Sequence, residues 1–341
     1  MSAEHITIRE IAKHFGVSTA TISKALNDKS GVGEDLRRQI LKYAEESNYV
    51  PDPQGRGLKG KGLKTIGVVI TDITNPFYSS SIQSITNEAE KNGYNVILCD
   101  SQEDCTREAK QIENLIRRKI DGLIIVPSSY DSADTACRRQ YARLCDMKIP
   151  FVFLQRVIED PIYQYDCVKC DNVYGAKMAI DYLFSSGHTQ VHYLTGSSKS
   201  SSIRERNEGV SRAFLAHGLS PDDHMLVCND LSYDGAYAML KGLIQEGRRL
   251  SAVFCAYDNM AFGAINAIRD CSLRVPEDIA VMGFDDNFYS RIFTPPLTTI
   301  RQETVYMAKR ATELLIEKME THTTAGVHEV VVPTLVKRES A

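Results

Sequence analysis

The sequence predicts an all-α helix-turn-helix head followed by an α/β core of two doubly wound parallel-sheet lobes. Three observations predict that fold class: capped helical signatures within residues 1–48, a Pro- and Gly-rich stretch after them, and alternation of short apolar runs with longer helical patterns from Thr65 onward. A length of 341 residues suits two or three domains. With 43% hydrophobic and 25% charged residues and no repeat or low-complexity block, the chain is not of disordered, collagen-like or membrane-spanning type.

The first helix starts at Thr7-Ile8-Arg9-Glu10, which has capping-box spacing: the Thr hydroxyl accepts from an early helix N–H and Glu10 reaches back. Ile8, Ile11, Ala12 and Phe15 then form one apolar face before Gly16 ends the helix. Val17 turns inward, and Ser18 caps a second helix running to Asn27. A third helix follows Gly33, with Glu34 and Asp35 at its positive end and Leu36, Ile40, Tyr43 and Ala44 on one stripe.

Two short helices joined by a glycine turn, with a longer third, make a helix-turn-helix arrangement. In the second helix Val17, Ile22, Ala25 and Leu26 are needed for a small core, which leaves Ser18, Thr19, Ser23, Lys24 and Asn27 as polar surface. Short hydrogen-bonding side chains with one cation suit base edges and phosphates in a major groove, although a merely solvated helix face has the same pattern.

Between Tyr49 and Lys64 stand Pro51, Pro53, four glycines and four basic residues, which reads as a linker. Gly55-Arg-Gly57-Leu-Lys-Gly60 matches a dinucleotide fingerprint as a string, and Gly55 to Lys61 nearly matches a phosphate loop. Both matches are accidental, because the segment follows Pro-x-Pro rather than a strand and precedes a strand rather than a helix.

In the core, strands are predicted at Ile66–Ile70, Val96–Cys99, Leu123–Val126, Phe151–Leu154, Val191–Leu194, Met225–Cys228, Val253–Cys255 and Ile279–Met282. Such βα alternation gives buried parallel strands with helices on both faces, and its extent calls for two similar lobes. Ligands of such sheets bind beyond the carboxyl ends of the strands.

Charge is unevenly spread. The chain carries a net −4, yet the segment from Met1 to Lys64 has 11 Lys and Arg against 8 Asp and Glu, so a modestly basic head precedes an acidic body. That asymmetry points weakly to phosphate contact by the head. The opening Met1-Ser2-Ala3-Glu4-His5 lacks the basic and apolar character of an export signal, so the cytoplasm is the expected address. Nine cysteines scattered from Cys99 to Cys271 are expected as reduced thiols. Cys167-Val-Lys-Cys170 has no second pair at metal-ligand spacing, so a structural role is expected and no metal or cofactor is implied.

No nucleophile elbow, zinc-binding His-Glu-x-x-His, complete phosphate loop or catalytic cysteine signature is present, so no catalytic residue is assigned. His188, between a helix and a strand, reads as a packing or capping residue. The strand ends carry groups suited to binding: Asn75, Phe77 and Tyr78 after the first, Ser200, Ser202 and Arg206 after the fifth, Asp258 and Asn259 after the seventh, and Asp285 after the eighth. Amides, hydroxyls, an aromatic face, a guanidinium and carboxylates hold a small polyhydroxylated or heterocyclic molecule without reacting with it. Asp258 has an alternative role as a helix cap, and Asp285 as a turn residue.

These features together resemble the lactose-repressor (LacI/GalR) family of bacterial transcription regulators over essentially the whole chain. The matching stretches are Thr7 to Asn27, Asn48 to Pro53, Asp171 to His188, Asp258 to Ile268, Val275 to Asp286 and Pro295 to Gln302. The resemblance implies a DNA-binding head at 1–48, a hinge at 49–64 that becomes helical on operator DNA, and a periplasmic-binding-protein-like core at 65–341. Its lobes are expected at about 65–165 plus 297–325 and about 166–296 plus 326–341, with an effector in the cleft and a homodimer interface along it.

Carried across by motif, Thr19, Ala20 and Lys24 would touch the major groove, Ser18, Ser23 and Asn27 the phosphates, and Leu58 would wedge the minor groove of pseudo-palindromic double-stranded DNA. Gly55 and Gly57 interrupt a hinge that is alanine- and serine-rich in the family pattern, each costing a helix about 0.5–1 kcal/mol. The effector-contacting arginine falls on Arg206 and the cleft aspartate on Asp285, whereas Gln155, followed by Arg156, stands where many sugar-responsive members have an aspartate. The last strand runs directly into the terminus without a leucine-heptad extension, so a dimer is expected rather than a tetramer. The reading is a transcription regulator, most simply a repressor, gated by a sugar or sugar derivative. A purine- or nucleoside-responsive member and a solute-binding protein without DNA function are the alternatives.

Overall fold

Three helices make the head: α1 (Ile8–Phe15), α2 (Thr19–Leu26) and α3 (Glu34–Glu46). The computed structural model describes residues 6–47, 49, 64–129, 135–158, 165–196, 200–228, 230–321 and 326–341. The capping box forms as expected, with Glu10 N donating to Thr7 Oγ1 and Thr7 N donating to Glu10 Oε2 at 2.7 Å. The backbone and hydroxyl of Thr7 hold the Glu10 carboxyl below its ordinary value. Gly16 ends α1 at φ +62°, and Ser18 Oγ accepts from Thr21 N at 3.1 Å to start α2. Ile11, Ala12, Ile22, Ala25, Ile40 and Ala44 are buried where the three helices meet, with Ile8, Phe15, Val17 and Leu26 half-buried around them.

The chain divides by its contacts into Met1–Leu63 and Lys64–Ala341. In the second unit, β1 (Thr65–Ile70), α4 (Phe77–Lys91), β2 (Asn95–Asp100), α5 (Cys105–Arg117), β3 (Gly122–Ile125), α6 (Thr135–Asp146), β4 (Phe151–Leu154) and β5 (Asp166–Cys170) build the first lobe. The second holds α7 (Asn172–Ser185), β6 (Val191–Gly196), α8 (Ser201–Ala216), α9 (Pro221–His224), β7 (Met225–Cys228), α10 (Tyr233–Gln245), β8 (Ala252–Cys255), α11 (Asp258–Asp270), β9 (Ala280–Asp285) and β10 (Thr298–Arg301). Then α12 (Thr304–Thr321) and β11 (His328–Val331) return to the first lobe, and β12 (Thr334–Val336) closes the second.

The sheet orders are β11-β5-β4-β3-β1-β2 and β12-β10-β9-β8-β6-β7. All pairs are parallel except β10 with β12, and the central strands are buried on both faces, as runs such as Leu123–Ile125 require. Leu315 of α12 packs so closely on β3 that a Cβ at Gly122 would lie 2.9 Å from its Cδ1.

The expected lobe limits need correction. β5 pairs with β4 and β11 in the first sheet, so the chain crosses after Cys170 rather than at residue 165. It crosses back after Arg301, because β10 pairs with β9, and a third time between β11 and β12. β5 went unpredicted because Asp166 and Lys169 interrupt its apolar pattern. Cys167 and Cys170 lie buried within it, and burial pushes their thiols up to about 11 and about 12.

Candidate effector cavity and DNA-reading face

Between the two lobes lies a cavity of about 470 Å³, bounded by the carboxyl ends of the strands. β1 delivers Asn75, Phe77 and Tyr78 through the turn into α4, where Asn75 Oδ1 accepts from Phe77 N at 3.0 Å. The Tyr78 hydroxyl meets Thr71 Oγ1 at 2.8 Å, and burial pushes it up to about 12. Phe77 and Tyr78 stand edge to face, 5.2 Å between centroids, and form an apolar wall.

Arg206 projects from α8 in the second lobe and is 1% exposed. Its placement depends on Gly209, one turn on, where a Cβ would lie 2.2 Å from Val173 O; α8 can therefore lie against α7. Arg206 Nε donates to Asn172 Oδ1 at 3.0 Å, and Nη1 donates to the Ala256 carbonyl. Asn172 is itself held through Glu205, which pairs with Lys169. The guanidinium lies 3.7 Å over the Phe284 ring and 4.8 Å from that of Tyr257. Its Nη2 stands 3.6 Å from Asp285 Oδ1, which accepts from Gln302 Nε2 at 2.8 Å. Burial pushes the Asp285 carboxyl up to about 8, against the opposing pull of Arg206. A fixed guanidinium and a carboxyl that titrates near neutrality thus share one end of the cavity.

Of the nine effector-site residues expected from the sequence, seven line the cavity: Asn75, Phe77, Tyr78, Ser202, Arg206, Asn259 and Asp285. Ser200 and Asp258 do not. Ser200 is buried beneath the lining, its hydroxyl 2.7 Å from that of Ser202. Asp258 is wholly buried; its carboxylate accepts from Asn287 N at 2.9 Å, Thr299 Oγ1 at 2.6 Å and the Ser290 hydroxyl, tying α11 to the segment after β9 and to β10. Those donors turn its carboxylate away from the cavity. The sequence reading missed Asp72, Glu103, Ser128, Asp230, Leu231, Ser232, Tyr257 and Gln302, and gave no role to Gln155 or Arg156. All of them follow a strand within a few residues, and inspecting every predicted strand end would have found all but Gln302, which follows the unpredicted β10.

On the head, Ser18, Thr19, Ala20, Lys24 and Asn27 are exposed and Ser23 is half-buried. Two of the polar groups are already engaged: Ser18 caps α2, and Asn27 Nδ2 donates to Ser23 O at 2.7 Å. Thr19, Ala20 and Lys24 present one open face. Leu58 and the linker from Val50 to Leu63 lie outside the described residues.

A three-helix head joined to a two-lobed α/β core with a cleft between its sheets defines an effector-responsive DNA-binding regulator. Residues 7–52 match the family model of bacterial regulatory proteins, lacI family, and residues 180–341 match that of a periplasmic binding protein-like domain. The ribose operon repressor of Escherichia coli (strain K12) is 30% identical over 335 residues, 98% of this chain and 99% of that protein. The HTH-type transcriptional repressor PurR of Haemophilus influenzae (strain PittEE) is 29% identical over 340 residues, 98% of each. The lac repressor dimer bound to operator and the anti-inducer ONPF superposes with a TM-score of 0.85 at 26% identity, covering 99% of each chain. The chain belongs to the lacI family of bacterial regulatory proteins: it is a DNA-binding transcription regulator with an effector-binding core. Among the described residues no helix is long and apolar enough to cross a membrane.

Proposed function

We propose that this protein is a homodimeric repressor whose α2 reads the major groove of a pseudo-palindromic operator, and whose cleft binds a small polyhydroxylated effector that resets operator affinity. The observation that carries the cleft reading is Arg206: a guanidinium 1% exposed, held by Asn172 and the Ala256 carbonyl, and still bordering the cavity beside Asp285. Nature rarely buries so large a cation without a polar partner to place, and a vicinal pair of hydroxyls can bridge the two groups, accepting from the guanidinium and donating to the carboxyl. Asn75, Ser202 and Asn259 offer further hydrogen bonds, and Phe77 and Tyr78 a face for the ligand's C–H groups.

In the regulatory cycle of this reading, the effector touches both lobes and therefore favours one lobe arrangement over another. The three crossings, after Cys170, after Arg301 and between Val331 and Thr334, are where the backbone accommodates that change. On DNA, Thr19, Ala20 and Lys24 meet base edges while Ser18, Ser23 and Asn27 lie nearer the phosphates. The experiment is a pair of titrations: selection of a duplex from a random library by gel shift, then the effect of cleft ligands on that complex in wild type and Arg206→Ala. The expected outcome is a sequence-selective complex formed by both proteins, with a ligand response in the wild type alone. A response retained by Arg206→Ala would remove Arg206 from the site, and the absence of any selective complex would remove the DNA reading.

A further inference from the structure

We infer that the effector carries an anionic group, a carboxylate or a phosphate, which docks on Arg156 in exchange for the side chain of Glu103. The inference rests on the cleft reading above and names the chemistry of its ligand. Arg156 stands just past β4, borders the cavity and is 7% exposed. Its guanidinium makes a fork-to-fork pair with Glu103, Nη1 to Oε2 at 2.7 Å and Nη2 to Oε1 at 2.9 Å, with the Pro127 carbonyl 3.5 Å from Nη1. That is the geometry in which an arginine binds a ligand carboxylate or phosphate.

Three features make Glu103 a replaceable occupant. Its side chain is 50% exposed, so on release it passes readily into water. It stands in the left-handed region at φ +55°, directly after Gln102 at φ +53°, two successive non-glycine residues in a conformation that disfavours both. Beside the arginine, Gln155 brings a neutral amide rather than a second carboxylate. Gln155 is 5% exposed and borders the cavity, its Nε2 lies 3.4 Å from Ser81 Oγ, and its Oε1 has no hydrogen-bond partner among the described residues.

The other carboxylates of the cavity are engaged away from Arg156. Asp72 accepts from the backbone and hydroxyl of Thr74 at 2.8 and 2.6 Å, and Asp230 is held in the same way by Ser232. Asp285 faces Arg206 at 3.6 Å and accepts from Gln302 at 2.8 Å. Among the described residues Glu103 is therefore the one carboxylate that Arg156 would exchange for a ligand. A neutral polyol would leave Glu103 in place and gain only hydroxyl contacts, while an anion takes over a preformed charge-assisted fork.

The test titrates the full chain with matched probes: D-glucuronate against D-glucose, D-ribose 5-phosphate against D-ribose, and inorganic phosphate by thermal shift. At least one anionic probe is expected to bind tenfold or more tightly than its neutral counterpart. Arg156→Gln should abolish that ratio, and Glu103→Gln, at a half-exposed site, should raise it threefold or more. A gain confined to glucuronate identifies a carboxylate, and one confined to the phosphates identifies a phosphoryl group. Neutral sugars that bind in an Arg206-dependent way as tightly as their anionic counterparts would overturn the anion and keep the cleft reading. Failure of every sugar to bind in an Arg206-dependent way, with inorganic phosphate protecting wild type and Arg156→Gln equally, would overturn both.

Discussion

The head closes on Ile11, Ala12, Ile22, Ala25, Ile40 and Ala44 and keeps its polar residues on the outside, whereas the core buries Asp258, Arg206 and Asp285 among six-stranded sheets. The contrast follows from size. A three-helix unit buries too little apolar surface to offset the desolvation of an ion, so its working groups must be surface groups. The core has apolar burial in reserve and can hold charges in fixed places inside, which is what a small ligand requires. Damage to a buried polar residue should therefore cost the core stability, whereas damage to a working residue of the head should cost binding alone.

Asp258 should give the largest effect. Removing its carboxylate by Asp258→Ala leaves Ser290, Thr299 and the Asn287 N–H without their acceptor, at a cost of about 3 kcal/mol or more. Urea denaturation is expected to show the core transition moved to lower urea and the head transition unmoved. A head transition that moved with it would dissolve the contrast between the two regions. Lys24→Ala is the converse: operator affinity should fall by roughly 1–3 kcal/mol with no change in the melting of the head, because the side chain is exposed. Unchanged affinity and base preference would displace α2 as the reading element.

The head was legible because its determinants are local. The Thr7 and Glu10 cap, the Gly16 stop and the apolar stripe of α3 all act within one or two turns, and the helices form where the periodicity places them. Eight core strands were legible for the same reason. β5 was not, because Asp166 and Lys169 break its apolar run, nor were the short β10, β11 and β12, with His328 of β11 opposite Cys167 and Val336 of β12 opposite Thr299. The cleft divides along the same line. Asn75, Phe77 and Tyr78 follow from the rule that ligands bind past strand ends, and Arg206 and Asp285 gained their roles from family resemblance. The pairing of Arg156 with Glu103, and the turning of Asp258 away from the cavity, depend on partners tens of residues distant, which no local pattern encodes.

Asp285 sharpens the comparison through pH. Its folded value of about 8 lies far above the roughly 3.9 of an unfolded aspartate, so the folded chain keeps a proton that the unfolded chain releases. The stability linked to that proton is present in full below about pH 4 and is lost as pH rises through about 8. Wild type should therefore lose core stability between pH 5 and pH 8 relative to Asp285→Asn, by at most about 1.4 kcal/mol per pH unit. Glu108 and Asp258, also raised by burial, are common to both proteins and cancel in the difference. Parallel urea midpoints across that range would mean that Asp285 stays ionised beside Arg206.

The smallest effect separates conformation from packing in the head. At Gly16 the backbone sits at φ +62°, and a Cβ there would meet nothing within 4 Å. Alanine thus has room at the end of α1 and pays only for the left-handed backbone, about 1 kcal/mol. Gly16→Ala should lower the head's melting midpoint slightly, leave the core transition in place, and preserve base preference, since α2 keeps its own cap at Ser18. An unchanged midpoint would show that the turn relaxes to accept a side chain. A loss of base preference would instead show that the angle between α1 and α2 is set at this one residue, and that the head, despite its small core, is as geometrically coupled as the cleft.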